Sequence, residues 1–131
     1  MRLTENIEFF NLLSKNNEFC SELGKVTLAS GKLESHIKGL LKNNGYNNNL
    51  ERATLGKLIS IAEREQHIDE NTIKVLKDVK RQRNFLTHNI HSLMIGEATL
   101  EDENMWEKDI HLFIDRAWQL QENLNSLADI F

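Results

Sequence analysis

No proline occurs anywhere in the 131 residues. Proline stops helices, and strand-rich folds need frequent turn residues, so a chain of this length without one is free to be helical throughout. The apolar residues follow a matching pattern. Five stretches recur, nearly all at three- and four-residue steps, the period of a helix with one buried face. They are Leu3, Ile7, Phe10, Leu13; Leu23, Val26, Ser30, Leu33, Ile37, Leu40; Leu55, Leu58, Ile59, Ala62; Ile73, Leu76, Val79, Arg83, Leu86, Ile90, Leu93; and Trp106, Ile110, Phe113, Ala117, Leu120, Leu124, Leu127, Phe131. The last alternates steps of four and three, which is a heptad seam. It reads as a long bundle helix, with a coiled-coil dimer strand as the alternative. No stretch alternates with the period of a strand, and no internal repeat stands out. The expected fold is all-α: one domain over residues 1–131, an antiparallel bundle of four to five helices with short connections.

Polar residues mark the boundaries. Thr4 suits the N-cap of the first helix, and Asn16-Asn17 weakens or punctuates it. The second helix should end at Lys42-Asn43-Asn44-Gly45, where lysine suits the negative end of the helix and glycine the left-handed cap. Asn47-Asn48-Asn49 is a polar loop, followed by a third helix from about Glu51 to Gln66. The break from His67 to Asn71 offers Asp69 or Asn71 as cap for the fourth helix, which Gly96 ends. Thr99-Leu100-Glu101-Asp102 resembles a capping box for the fifth.

A net charge of -4 and a pI near 5.7 argue against a protein that coats nucleic acid non-specifically, while leaving room for a local basic patch. A single cysteine, Cys20, allows no intrachain disulfide, so a reducing, cytoplasmic setting is the expectation, with Cys20 as a small buried hydrophobe. The first residues carry no signal-peptide pattern, and no run of about 18 apolar residues suggests a membrane span.

Chemistry concentrates in the fourth helix, in Lys80-Arg81-Gln82-Arg83-Asn84-Phe85-Leu86-Thr87-His88. At about 100° per residue Arg83 falls within the apolar stripe, where a guanidinium is costly unless paired or open to a cleft. A second stripe holds Arg81, Asn84, His88, His91 and Ile95. His88 lies roughly 140° around the helix from Arg83, so the two flank a groove on a straight helix. Between residues 74 and 83, Lys74, Lys77, Lys80, Arg81 and Arg83 face one acid, Asp78. A solvated basic helix face would look similar, but it would not place Arg83 on the apolar side.

The segment Arg83-Asn84-Phe85-Leu86-Thr87-His88 resembles the HEPN superfamily, small all-α domains whose ribonuclease members carry an arginine, four to six residues, then a histidine. A polar residue, often asparagine, commonly follows that arginine. Arg81 to His88, with six residues between, also fits, so either arginine can be the functional one. The helix order and the position of Leu33-Glu34-Ser35-His36-Ile37 on the second helix are similar to the family as well. The resemblance implies a metal-independent endoribonuclease in a toxin–antitoxin or anti-phage role, acting on RNA as a homodimer that completes the site from two copies. It implies His88 as general acid/base, Arg83 as the phosphate-binding group, Asn84 as an orienter, and Lys80 and Arg81 as further phosphate contacts. No cofactor or metal enters, and an antitoxin or regulatory protein is an expected partner. Where some toxins of the family have a tyrosine two residues past the histidine, this chain has Ile90, so neutralisation by modification of that tyrosine is not expected. The residue types suit the chemistry: histidine titrates near neutrality, and arginine meets charge growing on phosphate oxygens.

Two rivals come from other classes. One is a non-catalytic HEPN-like module binding a nucleotide, RNA or protein through the same basic groove. The other is a structural adaptor using the seam of the fifth helix. The histidines His36, His67, His88, His91 and His111 form no recognisable zinc set, and His88 with His91 would need ligands from elsewhere.

Overall fold

Asn16 breaks the first helical stretch from the second by capping the second. Its Oδ1 accepts the backbone N–H of Phe19 at 2.8 Å, in extended backbone that no longer continues the preceding helix. The computed structural model describes the backbone of residues 3–88 and 103–131 and the side chains of residues 7–87 and 109–131. Among these residues all regular structure is helical: α1 (Leu3–Lys15), α2 (Asn17–Asn43), α3 (Leu55–Arg64), α4 (Glu70–His88) and α5 (Glu103–Ile130). The fold is an all-α bundle. Ile90, Leu93, Gly96 and the Thr99–Asp102 box lie outside the described residues, as do His91 and the side chains of His88 and Trp106.

The two long helices α2 and α5 make the most extensive packing in the bundle. α2 buries Phe19, Val26, Ala29, Leu33, Ile37 and Leu41, and α5 buries Ile110, Phe113, Ile114, Ala117, Leu120, Leu124, Leu127 and Ala128. The seam expected from the sequence is thus spent inside the chain. α1 adds Phe9 and Leu13, with the Phe9 ring edge-on to Phe113 at 6.0 Å between centroids. This corrects the face expected for α1. Ile7 and Phe10 are exposed, because the helix turns Phe9 and Leu13, four residues apart, into the core, with Phe9 against Phe113 of α5. Cys20 is likewise exposed and not buried: Phe19 takes the core position, and the thiol lies 3.5 Å from the carbonyls of Leu13 and Ser14.

The end of α2 matches its sequence signal. Gly45 at φ 90 lets Tyr46 N–H reach Leu41 O at 3.0 Å and Gly45 N–H reach Lys42 O at 3.1 Å, a Schellman closure. α3 begins four residues later than its pattern suggests. Thr54 caps it, accepting from Lys57 N–H at 3.2 Å, while the preceding residues turn about the buried Leu50.

α3 closes with the same motif, His67 N–H to Ala62 O and Gln66 N–H to Glu63 O, but with Gln66 in the left-handed position at φ 56. A side chain there costs about 1 kcal/mol that glycine avoids, partly offset by glycine's larger loss of chain entropy. Gln66→Gly is therefore expected to raise the thermal midpoint by about 2–4 °C, read by circular dichroism. An unchanged or lower midpoint would show that Gln66 carries no such strain.

Asp69 caps α4, as one of the two residues offered by the sequence. Its carboxylate accepts from Thr72 Oγ1 at 2.6 Å and Thr72 N at 3.1 Å. These bonds, the hydroxyl first, hold the carboxyl below its usual range. A lowered folded-state pKa contributes stability that is present above the unfolded value of 3.8 and fades as pH falls through the folded value. Asp69→Asn should accordingly lose less stability than wild type on acidification below that value, measured by urea titrations at matched pH.

Candidate functional site

Arg83 sits on α4 where a core residue is expected, and α2 supplies the reason it is tolerated. Its Nη1 donates to Ser30 Oγ at 3.0 Å and to Glu34 Oε1 at 3.3 Å, and its Nη2 donates to Asn84 Oδ1 at 3.0 Å. Three of the five guanidinium N–H groups are thus engaged. The Arg83 and Glu34 side chains are 21% and 25% exposed, against 64% and 53% for the Arg81–Asp78 pair on the surface. Ser30 is buried, so its hydroxyl requires a partner, which Arg83 provides.

Asn84 is oriented by the same contact. A guanidinium can only donate, so the atom facing it must be the amide oxygen, and the amide NH2 is turned away from Arg83. Thr87 returns its hydroxyl to Arg83 O at 3.0 Å and leaves the groove side of the helix to other residues.

The opposite side of α4 is basic. At about 100° per residue, positions 74, 77, 81, 84 and 88 fall within an arc of about 80°, roughly 140° from the core stripe. Lys74, Lys77, Lys80, Arg81, Asn84 and Phe85 line an open depression of about 700 Å³ on this side. Lys77 pairs with Glu63 at 2.9 Å and Arg81 with Asp78 at 2.9 Å, both at exposed sites. Such pairs contribute only about 0–1 kcal/mol, so an incoming anion can replace them. Among the described residues Lys74 and Lys80 have no carboxylate partner. The stem of Lys80 passes over Gly56 at the start of α3, where a Cβ would stand 3.3 Å from Lys80 Cδ. The lysine is half-buried as a result.

The site residues expected from the sequence are therefore distributed over two linked clusters. Arg83 and Asn84 form one with Ser30 and Glu34; Lys80, Arg81 and Asn84 share the basic depression, with Asn84 common to both. His88 is the last described residue of α4, at the position one turn beyond Asn84. Sequence reading missed Ser30 and gave Glu34 no role. The available signal was Ser30 itself, a polar residue in an apolar stripe of α2 four residues before an acid. Among the described residues no three His, Cys, Asp or Glu side chains converge as metal ligands, and no helix is long and apolar enough to cross a membrane. Fold and site define a helical bundle with a paired arginine behind a basic face. Comparison with protein-family models, curated proteins and solved structures found no match.

Proposed function

We propose that the chain is a metal-independent endoribonuclease of HEPN type that binds the phosphate backbone along the basic face of α4 and cuts beside His88. The observation that carries this reading is the run of Lys74, Lys77, Arg81 and Asn84 on one arc leading to His88. His88 acts as general acid/base toward the 2′-hydroxyl or the leaving 5′-oxygen. Arg81 and Lys80 hold the phosphate, with the outward NH2 of Asn84 as a further donor. Arg83 acts one step back, fixing Asn84, because much of its donor capacity and its charge are already met by α2. One chain brings one such histidine, and the two proton transfers call for two; a second copy supplies the other. A toxin–antitoxin or anti-phage role fits a small nuclease held in check by a partner protein.

A second reading has its own observation. Glu34 already neutralises Arg83, which suits a module that binds RNA or a nucleotide without turning it over. RNA incubated with chelator separates the two. Cleavage lost in His88→Ala supports the nuclease; salt-dependent binding that weakens in Lys80→Ala or Arg81→Ala, with no turnover, supports the module.

A further inference from the structure

Phe85 follows Asn84 directly and is half-buried, yet among the described residues it does not belong to the apolar side chains packed on the core. It borders two spaces. One is the open basic depression with Lys74, Lys77, Lys80, Arg81 and Asn84; the other is a narrower cavity of about 210 Å³ between α4 and α5, lined by Gln82, Phe85, Leu86, Arg116 and Gln119. Among the described residues, this large aromatic between a row of cations and an apolar-floored cavity has no packing role that the core accounts for. It provides a π-face at the edge of a phosphate track.

Building on the proposal that α4 binds nucleic acid, we infer that Phe85 is a stacking platform for an unpaired base and that the ligand is single-stranded. The backbone would run past Lys74, Lys77 and Arg81, whose three- and four-residue steps advance about 4.5 and 6 Å along the helix. One base would turn off that track onto Phe85, against the cavity between α4 and α5. The polar rim favours this placement. Gln82 Nε2 donates to Asp78 at 2.8 Å and Gln119 Nε2 donates to Asn123 at 3.2 Å, so both amide oxygens are left as acceptors, with the Arg116 guanidinium as donor beside them. A base in a duplex keeps its faces stacked and its edge paired, so it can use neither the ring nor this rim. Stacking on an aromatic tolerates any base, which suits a site whose affinity otherwise comes from phosphates.

The test uses a fluorescent 2′-O-methyl RNA twelve-mer, which cannot be cut because its nucleophile is blocked, alone and annealed to its complement. Binding is followed by anisotropy. Wild type should bind the single strand at least tenfold more tightly than the duplex. Phe85→Leu should weaken single-strand binding by roughly tenfold or more while leaving duplex binding unchanged, and Phe85→Tyr should restore it. Should the Phe85→Leu protein melt early, Phe85→Trp gives a second readout: its added fluorescence should be quenched by the single strand and not by the duplex. Equal affinity for both strands, or a Phe85→Leu protein that binds like wild type, overturns the stacking role but leaves the basic face as a nucleic-acid site. Absence of binding to either form overturns both, and cleavage assays with His88→Ala stand apart from all these outcomes.

Discussion

RNA incubated with the wild-type protein and chelator is expected to yield fragments ending in 2′,3′-cyclic phosphate, and His88→Ala to slow that cleavage by about 10²–10⁴-fold, the usual contribution of a positioned acid or base. The prediction follows from the order of groups on α4. Lys74, Lys77 and Arg81 can hold a strand by charge, Asn84 presents amide donors, and position 88 is the next on the same arc. Replacing the cations should act differently from replacing the histidine. Arg81→Ala should weaken binding and flatten its salt dependence by about one ion, since each phosphate contact releases roughly one counterion. His88→Ala should leave binding near wild type and remove turnover. Equal cleavage rates for wild type and His88→Ala, with the variant freshly purified and folded, would sink the nuclease reading.

The second large effect is on stability, at Arg83 and Glu34. Removing one partner of a fully buried ion pair costs about 3–5 kcal/mol, because the charge left behind has no water. This pair is about one-quarter exposed, so solvent recovers part of that, and about 1–3 kcal/mol is expected for Glu34→Leu or Arg83→Met alone. Glu34→Leu leaves a guanidinium with, among the described residues, Ser30 and Asn84 as its side-chain partners; Arg83→Met strands a carboxylate and the buried Ser30 hydroxyl. Changing both together leaves no unmatched charge. The double variant should therefore be less destabilised than the two single losses added, in urea titrations with matched slopes. Strict additivity would mean that the contact contributes nothing by itself. Arg83→Met should also free the Asn84 amide to rotate, so any catalytic loss it shows should be accompanied by weaker strand binding.

Much of the bundle was legible because its cues are local. Gly45 announces the end of α2, Asp69 the start of α4, and the seam from Ile110 to Leu127 the buried face of α5. The errors fall where local cues compete. Phe9 and Phe10 are adjacent apolar residues, and choosing between them needs the position of Phe113, about a hundred residues away. Glu51 to Thr54 looks helical by composition but turns instead around Leu50. In the candidate site, the stretch from Lys80 to His88 was visible as a dense run of polar chemistry on an otherwise apolar pattern. What holds it was not. Ser30 and Glu34 lie 53 and 49 residues before Arg83, and only the tertiary arrangement, in which α2 and α4 share α3 and α5 as neighbours, brings them within reach. Sequence periodicity says which face a residue occupies; it does not say which neighbour that face will meet. The same limit explains Phe85, which shares a helix with the motif but takes its meaning from the cavity beside α5.

The partnership of α2 with α5 also sets an order of events during synthesis. Roughly sixty residues separate the end of one from the start of the other, so α2, α3 and α4 are made before the main packing surface of α2 exists. Until α5 arrives, α2 lacks its most extensive packing partner, and Ser30 and Glu34, which grip Arg83, lack that support too. A nascent chain would thus carry the cations of α4 before the α2 partners that fix Arg83 are seated.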